Sequence, residues 1–259
     1  MSSTLGCIGL AVDDVDVLDD LVARRLPDAA VIARAGDLQA RRWSDPSGAS
    51  ITMTVRQEGQ DGGVLVDLVP SYVVPDGESG SESGSEPGVV LGVLTGHGRT
   101  LAADLVDADG ETLTRVACDL AQSLVADVTE PRPAHVTALG LDVTVHEDDA
   151  AFAASDASTM GTPAPGEAAH TYAAGAVLSY GLFGDPDTAE PTAYVSGTVL
   201  RVTSHVTAEL EQGFHAARVA TVGGTFTVCL AASEHPDAPQ PGSVVAGTCY
   251  LVLDVPGLW

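Results

Sequence analysis

Short apolar runs rich in valine recur along this chain, and they restrict its fold more than any other feature of the sequence. Val64–Val66 and Val252–Leu253 are two examples. β-Branched side chains favour strands, and aromatic residues make up only 4% of the chain, so valine, leucine and alanine must fill the interior. No uncharged apolar run approaches the roughly 18 residues that a membrane span needs. We therefore expect a folded, strand-rich protein that does not enter a membrane.

The first 160 residues mix helix and strand patterns. Asp13 and Asp14 provide an N-cap and a first-turn anion for a helix that ends near Arg25. Helical spacing of apolar residues predicts two further helices, at about 111–126 and 147–155. Strands are predicted at 5–12, 31–34, 38–43, 51–55, 64–69, 89–94, 100–106 and 135–145.

Residues 159–170 are rich in glycine, proline and alanine, which indicates a boundary. Beyond this boundary the helix patterns stop, and Gly223-Gly224 between two alternating runs predicts a hairpin. Strands are predicted at 171–180, 193–206, 214–222, 225–232 and 244–255. Five strands within about 90 residues are typical of a small closed barrel or a sandwich.

The sequence therefore predicts an α+β fold in two domains. A mixed α/β sheet domain covers residues 1–160 and contains a disordered acidic loop at 75–88, which consists of Gly, Ser, Pro, Asp and Glu and is typical of a solvated tether. A small all-β barrel domain covers residues 165–259. The two domains meet in the segment that is rich in glycine and proline.

The opening of the chain has a recognisable order of elements. Cys-Ile-Gly-Leu-Ala-Val-Asp-Asp begins at Cys7, and Arg-Trp-Ser-Asp-Pro-Ser-Gly-Ala-Ser-Ile-Thr-Met begins at Arg42. Residues 7–55 thus resemble the βαβββ module of the vicinal oxygen chelate (glyoxalase-like) superfamily, and residues 135–155 resemble the start of a second module. The resemblance implies a cupped sheet.

Enzymes of the vicinal oxygen chelate superfamily hold a divalent metal with His and Glu on inward-facing strand positions. The corresponding strands of this chain offer Cys7, Thr52 and Thr54, and the nearest acid is Glu58. The resemblance therefore implies the fold and does not carry over the metal ligands.

The second half resembles an OB-fold barrel. A long strand opens at Val195–Val199, a Gly-Gly hairpin follows, and Gly242–Gly247 precedes a closing strand. OB folds often bind single-stranded nucleic acid through aromatic side chains and a basic groove. Residues 134–259 contain 14 acidic residues and only two basic ones, Arg201 and Arg218, a net charge of −12. We therefore expect the barrel without the nucleic-acid function.

The charge balance excludes further classes of function. The whole chain has a net charge of −25 with 11 basic residues, all of them arginine. Without lysine it cannot form a Schiff base or a phosphate-binding loop of the Gly-x-x-x-x-Gly-Lys type. Four cysteines without C-x-x-C spacing indicate buried free thiols in a reducing compartment, and a Cys229–Cys249 bridge is the alternative.

Histidines provide the remaining candidates for chemistry. The run His146–Asp149 could contribute to a cation site, but Asp148 as a helix N-cap explains the same residues. His205 and His215 flank a predicted turn at 208–213 and could face each other across a hairpin, although two imidazoles lack a third ligand. The sequence therefore assigns no catalytic, cofactor-binding or metal-ligating residue and no cofactor.

These observations favour a cytoplasmic, non-enzymatic protein that acts through protein interaction or assembly. Its partner would be another protein or a second copy of itself, in a homo-oligomer. The alternative is a small-molecule-binding or metal-dependent glyoxalase-like enzyme in the N-terminal domain, in which His135 or His146 would hold a divalent ion. Neither nucleic acid nor a membrane is expected as a partner.

Overall fold

A computed structural model describes residues 3–58, 62–75, 88–96, 99–122, 124, 128–160, 170–183 and 189–258. The fold is mostly β, because strands account for 55% of the residues and helical segments for 12%. The predicted α+β class is therefore wrong. Within the described ranges there are two α-helices, α1 (Val15–Arg25) and α2 (Asp149–Ala153), and neither is long and apolar enough to cross a membrane.

The strands of the described residues form three sheets. One sheet has four strands in sequence order: β1 (Ala30–Ala35), β2 (Leu38–Ser44), β3 (Ala49–Glu58) and β4 (Gly62–Tyr72). A two-residue pair joins β9 (Thr159–Met160) to β10 (His170–Thr171). The third sheet has nine strands: β5 (Val89–Thr95), β6 (Thr100–Val106), β7 (Thr112–Leu120), β8 (Arg132–His146), β11 (Val177–Ser179), β12 (Thr192–Val206), β13 (Gly213–Thr221), β14 (Gly224–Ala231) and β15 (Val244–Asp254).

Two elements predicted within the first 160 residues are wrong. The helix predicted at 111–126 is replaced by strand β7, in which every residue from Val116 to Leu120 is buried. The strand predicted at 5–12 is replaced by a short 3-10 helix at Gly6–Ile8, which ends at Gly9 with a φ of 70°. The helix after Asp14 is confirmed, since the Asp14 side chain accepts a hydrogen bond from the backbone N–H of Asp16.

The nine-stranded sheet contains the same four-strand unit twice. In the first unit β5, β6 and β7 pair in sequence order, and β8 returns to pair with β5. In the second unit β12, β13 and β14 pair in sequence order, and β15 returns to pair with β12. The units exchange partners, because β7 pairs in parallel with β15 and β14 in parallel with β8. The antiparallel pair β8–β15 joins the two units.

Each unit closes into a ring by using the last strand of the other unit. Both rings close over the same face of β8, since Ala134, Val136 and Ala138 lie in one hydrophobic cluster with residues of both units. Successive side chains of a strand point to opposite faces. His135 and Thr137 therefore lie on the outer face of the rings.

An N-terminal layer, residues 5–26 together with β1–β4, covers much of this outer face. Its apolar side chains share a second cluster with residues of β8, β13, β14 and β15. Polar contacts fix the layer in place: Thr207 Oγ1 donates to the Gly9 carbonyl at 2.8 Å, and the Gln212 side chain bonds the backbone N–H and carbonyl of Ala11 at 2.7 and 3.0 Å. Strands from both sides of the boundary predicted at 160–165 thus pair in one sheet under one layer. Residues 76–87 of the predicted acidic loop lie outside the described residues.

Candidate functional site

A cavity of about 170 Å³ lies between the end of β4 and the outer face of the rings. The strand register brings its polar side chains together. Asp254 on β15 is directly opposite His135 on β8, and Thr227 on β14 is directly opposite Thr137 on β8. The lining residues are Tyr72, Val73, Val74, His135, Thr137, Thr227 and Asp254.

The Asp254 carboxylate is held by two side chains from other strands and loops. Arg42 Nη1 donates to Asp254 Oδ2 at 3.1 Å, and the side chains of both residues are only 12% exposed. Gln122 Nε2 donates to the other carboxylate oxygen and to the Val255 carbonyl. Arg42 also donates to the Ala121 carbonyl at 3.2 Å. The negative charge of Asp254 is thus balanced inside the protein.

The surroundings of His135 in the cavity wall shift the pKa of its imidazole. Burial lowers its pKa, the neighbouring carboxylate of Asp254 opposes this, and the guanidinium of Arg218 lowers the pKa further. The imidazole is therefore neutral at pH 7. A neutral imidazole in a cavity can donate or accept a hydrogen bond.

A row of four polar side chains crosses the outer face beside His135. Arg201 on β12 is opposite Arg218 on β13, Arg218 is opposite Thr227, and Thr227 is opposite Thr137. Residues paired in this way point to the same face, on strands about 4.8 Å apart. The two arginines therefore lie on the same side of the sheet as the cavity, and they are the two basic residues of the chain after residue 133.

The face of the four-stranded sheet that meets the rings is also polar. Ser50, Thr52 and Thr54 are buried there, and Thr52 Oγ1 donates to the Ala121 carbonyl at 2.7 Å. Ser71, which precedes Tyr72 on β4, has a buried hydroxyl with no hydrogen-bond partner among the described residues. Unpaired buried polar groups are uncommon in folded proteins.

The histidines singled out from the sequence do not form a common site. His205 pairs with Phe214, whereas His215 pairs with Ser204. Because the two pairs are consecutive along the ladder, His205 and His215 point to opposite faces, and the expectation that they face each other is wrong. His205 Nε2 lies 3.2 Å from the Tyr72 hydroxyl.

The acidic run after His146 has a structural role. Asp148 Oδ1 accepts a hydrogen bond from the backbone N–H of Ala151 at 2.7 Å, as expected of the N-cap of α2. His146 Nε2 lies 2.9 Å from Thr144 Oγ1, and its ring packs against Phe152. In the part of the chain that the structure describes, no group of three or more His, Cys, Asp or Glu is arranged to hold a metal ion.

The four cysteines are free and buried, so the alternative of a Cys229–Cys249 bridge is wrong. Burial raises the pKa of Cys118, Cys229 and Cys249. Cys7 Sγ donates to the Gly140 carbonyl at 3.1 Å. Thiols held in this way are poor nucleophiles, so the cysteines provide packing.

No family model, no curated protein and no solved structure matches this chain.

Proposed function

We propose that this protein binds a small molecule in the cavity between β4 and the outer face of the rings. The observation that carries the proposal is the cross-strand pair His135–Asp254, with Arg42 behind it, at the wall of a cavity. Binding sites for small molecules are typically concave and present a few convergent polar groups. A cavity of about 170 Å³ is close to the roughly 150 Å³ that accommodates benzene in an engineered protein, so the ligand is small.

The energetics of the polar groups support a site rather than a purely structural layer. A buried ion pair such as Arg42–Asp254 is often no more stabilising than apolar residues of the same volume, because both charges lose their hydration. A protein under selection for stability alone would be expected to fill this space with apolar side chains. A fixed carboxylate and a neutral imidazole at a cavity wall are instead the groups that orient a ligand.

The test is a screen of neutral and charged fragments by ligand-observed NMR, followed by a substitution that fills the cavity. Thr227→Leu places a larger apolar side chain at the wall. Thr225→Leu is the matched control, since Thr225 lies two residues away on the same face of β14 and does not line the cavity. We expect hits that Thr227→Leu abolishes and Thr225→Leu preserves. Absence of any hit, or equal loss in both variants, would reject the proposal.

Protein interaction or assembly is a second candidate, and one observation favours it. The turn at 180–183 exposes three large apolar side chains, Tyr180 at 42%, Leu182 at 37% and Phe183 at 73%. Clustered exposed apolar residues are a common mark of interaction surfaces. We expect Phe183→Ser to reduce self-association in light scattering, and Val15→Ser, at a side chain 71% exposed on α1, to leave it unchanged. A monomeric wild-type protein at all concentrations would exclude self-assembly.

We also propose that the protein works in a reducing compartment such as the cytoplasm. Four free thiols in a folded core support this proposal, because thiols persist where disulfides are kept reduced. Measurement of the thiol content of the native protein, isolated without reductant, tests it.

A further inference from the structure

A serine and a histidine form a close pair at one end of the ring that contains β12–β14. Ser204 on β12 is directly opposite His215 on β13, and Ser204 Oγ lies 2.8 Å from His215 Nδ1. His215 is buried, with 6% of its surface exposed, whereas Ser204 is exposed. Ser204 is thus accessible from solvent, while its hydrogen-bond partner is held inside the protein.

The second ring nitrogen of His215 fixes the direction of this hydrogen bond. His215 Nε2 lies 2.9 Å from the carbonyl oxygen of His235, in the loop after β14. A carbonyl oxygen only accepts hydrogen bonds, so Nε2 carries the proton. In the neutral imidazole Nδ1 is then the acceptor, and the Ser204 hydroxyl donates to it. A third group therefore holds the imidazole with its lone pair directed at the serine.

The pair faces the interior of the ring. Residues two apart on a strand point to the same face, so Ser204 shares a face with Val202, and His215 shares a face with Ala217. Ala217 and Leu230, which is opposite His215 on β14, belong to the hydrophobic cluster of the rings, and Val202 packs against it. Only two further residue pairs follow Ser204–His215 in the β12–β13 ladder. The pair thus lies at the mouth of the ring, a common position for binding sites in closed sheets.

We propose that Ser204 is a nucleophile that accepts the acyl group of a small ester, with His215 as its general base. A serine hydroxyl alone is a weak nucleophile. It is activated by a base about 2.6–3.2 Å away that is itself oriented by a third group, which is the arrangement of Ser204, His215 and the His235 carbonyl. Ser204 and His215 are not among the described residues that line the cavity beside β4, so this activity is independent of the proposed ligand site.

The reaction has two steps that use the same proton acceptor. Ser204 Oγ attacks the carbonyl carbon of the ester while its proton passes to His215 Nδ1. The C–O bond of the ester then breaks, and the leaving alcohol takes the proton from Nδ1. In the second step water attacks the acyl carbon and gives a proton to Nδ1. Ser204 Oγ regains this proton as the carboxylic acid leaves.

The surroundings of the pair define the class of ester. The His235 carbonyl stabilises the imidazolium that forms in each step less than the carboxylate of a Ser-His-Asp triad does, so the leaving group must depart with little protonation. The net charge of −25 repels anions and favours the imidazolium. The expected substrate is therefore an uncharged, activated ester with a short acyl chain.

The experiment uses p-nitrophenyl acetate, with release of p-nitrophenolate and mass spectrometry of acid-quenched protein as the readouts. The chain has no lysine, which reduces acetylation at other sites. We expect acetylation of Ser204. Ser204→Ala should abolish it, and His215→Gln should slow it about a hundredfold or more, as expected for loss of a general base. Ser155→Ala is the control and should leave the rate unchanged, since the Ser155 hydroxyl donates to the Phe152 carbonyl at 2.7 Å.

A second variant keeps the test independent of the packing of His215. In Ser204→Cys a thiol lies beside Nδ1, and a neighbouring base favours the reactive thiolate. Iodoacetamide at pH 7 should therefore alkylate Ser204→Cys about tenfold faster than Val206→Cys. Val206 is on the same face of β12 and is 65% exposed, and the four native thiols are buried.

Either of two results would overturn the inference. One is the same rate of p-nitrophenolate release from the wild type and Ser204→Ala. The other is equal alkylation of Ser204→Cys and Val206→Cys. The outcome does not depend on the cavity, because Thr227→Leu should abolish the binding of fragments and leave the acetylation of Ser204 unchanged.

Discussion

Replacement of Arg42 by methionine tests the energetics of the buried pair behind the cavity. Arg42 donates to Asp254, to the Ala121 carbonyl and to Thr52 Oγ1. Methionine is similar in length and leaves no large void, so the main effect of Arg42→Met is to leave the Asp254 carboxylate without its cation. The Ala121 carbonyl still accepts a hydrogen bond from Thr52. The free energy of unfolding should therefore report mainly on the unpaired charge.

The size of the effect follows from what remains around Asp254. Removal of one partner of a buried ion pair costs about 3–5 kcal/mol. Gln122 still donates to Asp254, and the Asp254 side chain is 12% exposed, which lowers the expected loss to about 2–4 kcal/mol. The double variant with Asp254→Asn removes both charges and keeps an acceptor for Gln122. It should therefore be more stable than the sum of the two single changes predicts, by about 1 kcal/mol or more.

Urea denaturation provides the measurement, with a lower midpoint and an unchanged slope as the expected result. Arg56→Met is the control, because Arg56 pairs with Asp37 at 3.5 Å and both side chains are more than half exposed. Exposed pairs contribute less than about 1 kcal/mol. The reasoning is refuted if Arg42→Met costs no more than Arg56→Met, or if the two changes at the buried pair are simply additive.

Two further predictions concern pH and thiol reactivity. Burial lowers the pKa of His135 and His235 from the ordinary value of 6.5. Below about pH 6.5 these two side chains therefore bind more protons in the unfolded chain than in the folded one, and their contribution to stability falls as the pH falls. Urea midpoints at pH 7.5 and 5.5 should show this fall, and a smaller one in His135→Gln. Since burial raises the pKa of Cys118, Cys229 and Cys249, an aromatic disulfide reagent at pH 8 should label the native protein slowly and the urea-unfolded protein at once. Fast labelling of the native protein would contradict the burial.

The strand β7 shows why part of the fold could not be predicted from the sequence. Leu113, Val116, Ala117 and Leu120 have helical spacing, but the segment is a strand, and its second half, Val116–Leu120, is buried on both faces. Val116 and Leu120 lie in the core of the rings, while Ala117 on the other face donates its backbone N–H to Ser179 Oγ. A strand buried on both sides has no alternation of polar and apolar residues. The helical spacing of its apolar residues therefore predicted a helix.

The opening segment differs from the predicted strand for another reason. Its apolar residues are buried, as in a strand, but its backbone groups are bound by side chains about 200 positions away, Thr207 and Gln212. No local pattern reports such partners. The helix after Asp14 was predictable because its cap and its spacing are local.

The arginine pair on the outer face could have been predicted from the sequence. A hairpin with a turn between Val206 and Gly213 fixes the pairing of β12 and β13, and counting back from the turn places Arg201 opposite Arg218. The same count pairs His205 with Phe214 and His215 with Ser204, which places the two histidines on opposite faces of the sheet. The pairing of Asp254 with His135 could not be predicted in this way, because strands β9–β14 lie between β8 and β15 in the sequence and no short turn fixes their register.

Two copies of one four-strand unit, paired with each other, would form all the strand pairs between β5–β8 and β12–β15. In this protein the two units belong to one chain. Once both copies belong to one chain, equivalent positions can diverge independently. A pairing plan with two-fold character can therefore place the His135–Asp254 pair at one position without requiring the same two side chains at the equivalent position, as a symmetric dimer would.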